Sequence, residues 1–265
     1  MQKIMVFIPA YNCEKQISRV LSQFGDVMLD YVQEIVIINN CSTDNTEQVA
    51  VNYGQTHQGL PLTVLRNKEN YGLGGSHKVA FRYAMEHGYD YVIVLHGDDQ
   101  GSIDNLIPYL KSGEYTNYDC FLGARFMHGS RLQGYSKFRT FGNYVYNFLF
   151  TLGTGKWIAD LGSGLNMYRV EALRSKYYMK YKDNLIFNYC MIMGETYLKQ
   201  KIRFFPILWR EDDQVSNVKM VNQAITVLQL LGSYIMNKKE FVEAEHRDRI
   251  VAAYEADVIV SNHRN

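Results

Sequence analysis

The stretch YVIVLHGDDQGS, Tyr91 to Ser102, decides how the rest of the chain is read. Its first half, Tyr91-Val92-Ile93-Val94-Leu95, is a short unbroken apolar run of the kind that forms a buried strand. Polarity then reverses within one residue. Side chains alternate faces along an extended backbone, so a strand that continued would put His96, Asp98 and Gln100 on one face and turn Asp99 away. An imidazole nitrogen, a carboxylate and an amide oxygen would then converge. That donor set suits Mn²⁺ or Mg²⁺, with water or substrate oxygens completing the shell. A plain strand-to-loop exit would look similar over these residues alone, because Gly, Asp and Gln are common turn formers. The flanking sequence separates the two readings.

Toward the amino terminus, Lys3 to Ile8 reads as a strand, which Pro9 ends because it has no N–H to donate. A helix is expected from about Glu14 to Phe24, with Ile17, Val20, Leu21 and Phe24 on one face and Asn12 as its N-cap. Glu34 to Ile38 is a second buried strand. It exits into NNCSTDNTEQ, where Asp44 and Glu47 have capping-box spacing for the next helix. Leu62 to Arg66 is a third strand, followed by NKENYGLGGSHK and a helix through about His87. Beyond the central stretch, Ile103 to Lys111 reads as helix and Tyr118 to Ala124 as a fifth strand. This alternation predicts an α/β fold with a mainly parallel sheet covered by helices on both faces. Ligands of such sheets lie beyond the carboxyl ends of the strands, where every polar cluster named so far falls.

The second half is less regular. Phe126 to Lys137 reads as a mobile loop, and Phe141 to Leu152 as a strongly aromatic helix. With its basic flank that helix either rests on a membrane or packs on the sheet. Trp157 to Gly164 is a polar turn, Leu165 to Tyr168 a strand, Phe187 to Lys199 a helix, and Ile202 to Trp209 an edge strand holding Pro206. Val218 to about Met236 and Glu240 to about Val260 are expected as helical tails. The expected division is a domain over 1–216 and a C-terminal helical extension over 217–265.

With 28 basic and 27 acidic residues the chain has no general pull toward nucleic acid. Its four cysteines are far apart and form no CxxC pair, which excludes a zinc knuckle or a thioredoxin-type site and fits a reducing compartment. The first residues run into a strand without a signal-peptide layout. The longest apolar-rich stretches are interrupted by Asn, Gln and Gly and fall short of a membrane span. A cytoplasmic protein, soluble or peripheral on the inner face of a membrane, is expected.

Several loops carry chemistry of their own. GLGGS, Gly72 to Ser76, follows a strand and precedes a helix, and could aim backbone N–H groups at phosphate or ribose oxygens. It lacks the spacing of a dinucleotide fingerprint. Arg125 and Arg139 offer planar forks suited to a diphosphate. Asp160, in DLGSG, and Asp212 are carboxylates that could serve as a catalytic base. Asp212 stands in the acidic run Glu211-Asp212-Asp213, which as a run reads first as a solvated face.

Taken in order, these pieces resemble a family. IPAYNCE, VIINNCSTDNT, NYGLGGSHK, LHGDDQ, LGARF, DLGSGLNMYRVEAL and FFPILWRED with SNVK are similar to the ordered motifs of family 2 glycosyltransferases of the GT-A fold. The likeness is greatest to the dolichyl- and polyprenyl-phosphate sugar synthases and their bacterial relatives, and runs from Met1 to about Lys219. It implies a nucleotide-diphosphate sugar donor carrying UDP, GDP or dTDP, a divalent cation on the diphosphate, a glycan or lipid-linked acceptor, and inversion at the sugar. It implies that Pro9, Ala10, Tyr11, Asn12 and Glu14 border the nucleotide, and that Asn39 stands where the family reads the base with aspartate. It further implies that Asn70, Gly74 and Lys78 lie near the base or ribose. His96, Asp98 and Gln100 would hold the metal, Asp98 would thereby take part in catalysis, and Arg125 and Arg139 would meet phosphates. The chain departs from the pattern at Asn39-Asn40 and His96, which replace aspartates, and at Gly162 and Leu165-Asn166. Two other classes fit parts of the sequence. One is a nucleotidyltransferase, although AYNCEK lacks that class's Gly- and Arg-rich opening loop. The other is a nucleotide-sugar-binding module without turnover.

Overall fold

The computed structural model describes residues 2–211 and 220–262, with side chains from 224 onward in the second segment. Its strands are β1 Ile4–Ala10, β2 Val32–Asn39, β3 Leu62–Asn67, β4 Tyr91–Leu95, β5 Cys120–Ala124, β6 Arg131–Gln133, β7 Leu165–Arg169, β8 Ile202–Pro206, β9 Leu208–Arg210 and β10 Ala256–Ser261. Eight of them form one sheet in the order β10-β3-β2-β1-β4-β7-β5-β8, while β6 and β9 pair separately. Neighbours run parallel except β7, antiparallel to both β4 and β5, and β10, antiparallel to β3. The helices are α1 Ile17–Leu21, α2 Asp26–Leu29, α3 Thr46–Thr56, α4 Gly72–Glu86, α5 Ile107–Ser112, α6 Lys137–Thr154, α7 Val170–Leu173, α8 Phe187–Tyr197, α9 Met220–Met236 and α10 Lys238–Glu243. The GT-A architecture expected from the sequence is present.

The apolar runs are continuous because the central strands are covered on both faces. Along β1, Met5 and Phe7 join a core with residues of α4 and α8, while Ile4, Val6 and Ile8 join a second core with residues of α1 and α5. Strands β1 to β4 run parallel, so their carboxyl ends share one edge.

Some expected elements are corrected. The first helix begins at Ile17 and has Gln16 at its N-cap; Asn12 instead adopts a left-handed φ of 51° and accepts from Thr43 N–H. Asp44 and Glu47 form no capping box. Asp44 accepts from the Thr46 and Glu14 amides, and Glu47 faces Arg66 and Asn39. Gly72 to Ser76 is the first turn of α4, not a loop. The supposed loop 126–137 contains β6, whose partner is β9. The last expected helix breaks after α10, and Ala256 to Ser261 returns as β10 on the free edge of β3. The expected boundary at 216/217 lies outside the described residues.

One buried group sets a pH dependence. Glu195 on α8 is wholly buried, and its carboxyl oxygens make no hydrogen bond beyond a weak approach from the Cys120 thiol. Burial pushes its pKa up to about 8 from an ordinary 4.5. The folded chain therefore holds this proton more tightly than the unfolded chain. Its contribution is complete below about pH 4.5 and is lost as pH rises toward 8, on the order of 3 kcal/mol by pH 7. Thermal melts from pH 5 to 9 are expected to show a falling stability that flattens in Glu195→Gln; an unchanged slope would rule this origin out.

Candidate active site

The site is built at the carboxyl ends of β1, β2 and β4. Strand β4 stops at Leu95, so the alternation of the next residues is not that of a continuing strand. The His96 amide donates to the Gly164 carbonyl at 2.9 Å, and the Gly97 amide to the Pro9 carbonyl at 3.1 Å. The chain then turns through Asp99, which has a left-handed φ of 59°, a region aspartate tolerates better than most residues. Alternate exposure survives all the same: His96, Asp98 and Gln100 are partly exposed while Gly97 and Asp99 are buried.

The two adjacent aspartates have opposite environments. Asp99 points inward as expected. It accepts from Arg19 Nε at 2.8 Å, Gln23 Nε2 at 3.0 Å and Arg210 Nη2 at 3.0 Å. Sequence reading missed these three partners, because nothing local links Arg19 or Arg210 to Asp99. At Asp98, burial, aided by the charge of Asp99, pushes the pKa up to about 6. Burial also holds His96 down at about 4, so its imidazole is neutral, the form that binds a metal. His96 Nε2 is buried without a hydrogen-bond partner. These features fit a divalent cation held by His96, Asp98 and Gln100. Among the described residues no group of three or more His, Cys, Asp and Glu could hold a metal. A cation here would therefore rely on the Gln100 amide and on substrate oxygens.

Two glycines make this geometry possible. A Cβ on Gly97 would lie 2.9 Å from the Pro9 carbonyl oxygen, and one on Gly164 would lie 2.8 Å from His96 Cγ. The second contact joins the DLGSG segment to His96.

The nucleotide-side residues are brought together in part. Ala10 accepts from the Asn40 amide at 2.9 Å, which ties β1 to the exit of β2. Tyr11 is exposed beside it. The Asn12 amide donates to Ser42 Oγ, and Glu14 Oε2 accepts from the Asn45 amide. Asn39 is buried; its Nδ2 donates to Glu47 Oε2 at 2.7 Å and its Oδ1 accepts from the Ser42 amide. Asn40 donates to the exposed Asn70 and accepts from Asn67. A chain of amides therefore crosses from β2 to the β3–α4 turn.

Other expected ligands are placed elsewhere. The Gly74 amide donates to the Asp183 carbonyl at 2.7 Å, and a Cβ there would lie 2.5 Å from the Lys182 carbonyl, so this helix start is covered by protein rather than open to phosphate. Lys78 is fully buried and donates to Tyr181 O, Asp183 Oδ1 and Tyr254 Oη. It anchors the C-terminal segment and presents nothing to a nucleotide. Arg125 grips Asp160 through two side-chain bonds of 2.8 Å, both partners are buried, and the Arg125 and Gly162 amides also donate to that carboxylate. Neither expected role fits, because the arginine's fork and the aspartate's oxygens are spent on each other. Arg139 keeps a place at the rim, paired with both oxygens of Glu211 at 2.8 Å. Asp212 and the SNVK segment lie outside the described residues.

The sheet order and its flanking helices are those of the GT-A glycosyltransferase fold. The model of the family described as "Glycosyl transferase family 2" matches residues 5–175, and the chain belongs to that family. It is similar to the undecaprenyl-phosphate mannosyltransferase of Micrococcus luteus, at 21% identity over 65% of this chain and 69% of the relative. It is also similar to the UDP-N-acetylglucosamine–dolichyl-phosphate N-acetylglucosaminyltransferase of Methanococcus voltae, at 23% identity over 64% of this chain and 71% of the relative. Among solved structures it shares its fold with glucosyl-3-phosphoglycerate synthase from Mycobacterium tuberculosis in complex with UDP. The TM-score is 0.63 at 15% identity, covering 89% of this chain and 80% of that one.

Two substitutions test these placements. Asp160→Asn leaves a buried guanidinium without its charge partner, and a loss of roughly 3 kcal/mol is expected in denaturant unfolding. Full stability with abolished turnover would instead restore the catalytic role. Gly164→Ala must displace the His96 ring, and metal-supported donor binding is expected to weaken by about tenfold, as for other outer-shell changes. Unchanged titration curves would disconnect the two segments.

Proposed function

We propose that this glycosyltransferase moves a sugar from a nucleoside diphosphate, UDP being the nucleotide in the names of the Methanococcus relative and of the solved UDP complex, to a polyprenyl-phosphate or related lipid-linked acceptor, with inversion and with Mn²⁺ or Mg²⁺ bound. The carrying observation is the exit of β4: a neutral imidazole whose buried Nε2 meets no hydrogen-bond partner among the described residues, a partly exposed carboxylate with its pKa raised to about 6, and an amide two residues on. His96, Asp98 and Gln100 would hold the cation. When bound, it neutralises charge on the departing diphosphate. Tyr11, Asn12 and the Asn40–Asn70 pair border the nucleotide on the β1 and β2 side. Arg139, paired with Glu211, and Arg210, paired with Asp99, stand on the β9 side.

The state of Asp160 supports the acceptor reading. A hydroxyl acceptor needs a carboxylate to take its proton; Asp160 is held against Arg125, and Asp212 lies outside the described residues. A phosphate acceptor is already ionised and attacks without such help. The names of the Micrococcus and Methanococcus relatives, both acting on polyprenyl phosphates, support the same choice. The workplace we infer is the cytoplasmic face of a membrane.

A thermal-shift screen of UDP-, GDP- and dTDP-sugars with and without Mn²⁺ tests the donor. Stabilisation by a UDP-sugar that requires the cation is expected, and Asp98→Ala is expected to abolish it. Turnover with a short-chain polyprenyl phosphate should release nucleoside diphosphate; release of pyrophosphate would instead mark a nucleotidyltransferase, and cation-dependent binding without any turnover a binding module.

A further inference from the structure

We propose that α6 and α9 together form a platform that docks on an anionic lipid surface, a reading that rests on the lipid-linked acceptor proposed above. Helix α6 is apolar on two faces. Its inner face packs Phe150 into the core beside the buried Asn147 and Thr154, whose side chains are spent on hydrogen bonds within the protein, such as Asn147 Nδ2 to Ala159 O at 2.6 Å. Its outer face carries Phe138, Phe141, Val145, Phe148 and Leu152 at alternating spacings of three and four, one stripe of a helix. Phe138 is 77% exposed, Phe141 68%, Phe148 61% and Leu152 65%. Core packing, the alternative for this helix, is therefore excluded for the stripe.

Helix α9 repeats the pattern. Val227, Leu231 and Tyr234 are buried, while Ile225, Leu228, Ile235 and Met236 are exposed, the last at 88%. The two helices touch where a Cβ on Gly153 would meet Leu231 and Ile235. Among the described residues no helix is long and apolar enough to cross a membrane, so this apolar surface suits lying on a bilayer rather than spanning it.

Charge chooses the occupant. Positions 136–159 and 220–239 contain no acidic residue, and they carry Lys137, Arg139, Lys156, Lys238 and Lys239. Lys137 and Arg139 sit in the first turn of α6, where the helix dipole disfavours cations, so their placement serves something other than helix stability. An apolar surface with basic residues at its ends, Arg139 among them paired with Glu211 and Lys239 followed by Glu240, matches an anionic headgroup layer over acyl chains. The platform is also continuous with the site. Arg139 holds Glu211, the Glu211 amide donates to Gln133 O, and the Arg210 amide donates to Gln100 O at 2.9 Å. A bilayer against α6 would thus bring a lipid phosphate toward the β4 exit.

The test is sedimentation of the full chain with vesicles of phosphatidylglycerol and phosphatidylcholine in roughly equal parts, against phosphatidylcholine alone. Binding to the anionic vesicles is expected to be about tenfold stronger and salt-sensitive. The double variant Phe141→Ser, Phe148→Ser, checked for an unchanged melt, is expected to lose about tenfold of it, and Lys238→Glu with Lys239→Glu to lose the anionic preference. Equal binding to both vesicles, wild-type binding by the serine variant, or a particle of twice the 30.8 kDa monomer that the serine variant splits, would each overturn the proposal; the last would assign the face to a second copy. Transfer to a short-chain, water-soluble polyprenyl phosphate without vesicles separates this from the function. Transfer retained with vesicle binding absent defeats the docking alone; vesicle binding intact with transfer absent defeats the acceptor reading alone.

Discussion

The hydrogen bond from the Gly97 amide to the Pro9 carbonyl fixes the distance on which the site depends. Strands β1 and β4 are parallel neighbours paired from Ile4–Tyr91 to Phe7–Val94. Beyond that register the two chains would diverge, one into Tyr11 and Asn12, the other into His96 and Asp98. The bond instead holds the two exits together past the end of β4. The absence of a side chain at Gly97 allows it, because the carbonyl lies where a Cβ would be. On the other side of β1, the Asn40 amide does the same with Ala10 O. Three strand ends are thereby pinned into one surface before any ligand arrives, and little ordering entropy remains to be lost on binding.

Within that surface, two neighbouring carboxylates are given different tasks by their pairing. Two buried like charges in sequence would repel and push each other toward protonation. Turning Asp99 inward at positive φ separates them, and Arg19, Gln23 and Arg210 satisfy it. Asp99 thus becomes the knot that ties α1 and β9 to the β4 exit. Asp98 keeps partial exposure, and burial raises its pKa to about 6.

This division was partly legible in the sequence. The apolar runs of β1, β2, β3 and β4 named themselves, because a strand buried on both faces has a purely local signature, and strand alternation gave the relative facing of Asp98 and Asp99. What the sequence could not show was the pairing of charges distant along the chain. Asp160 looked like a base and Arg125 like a phosphate ligand only while their sequence separation of 35 was unclosed. Lys78 looked available until Asp183 and Tyr254, far downstream, were brought onto it. The GLGGS stretch looked like a loop because glycine lowers helix propensity, whereas these glycines serve the close approach of the 182–187 segment to α4. The last strand was hidden for a similar reason: ADVIVS is short, and only the unpaired edge of β3 gives it a partner.

The asparagine at position 39 shows how one departure from a family pattern is made consistent locally. Where the resemblance places an aspartate, the amide nitrogen of Asn39 lies 2.7 Å from a carboxylate oxygen of Glu47. Two carboxylates could not share that distance without one taking up a proton. Asparagine supplies a donor to Glu47 and keeps an acceptor for the Ser42 amide, so the strand end retains its shape while losing a charge. Glu47 is then held by Arg66 as well, which keeps its pKa below the usual carboxylate range. The negative charge has in effect moved from the strand end to the first turn of α3, where the helix dipole favours it. Of the amides at this edge, Asn39 and Asn40 are buried and Asn70 is exposed. An amide offers both a donor and an acceptor, so base choice here rests on which of its atoms the surrounding hydrogen bonds leave facing the ligand.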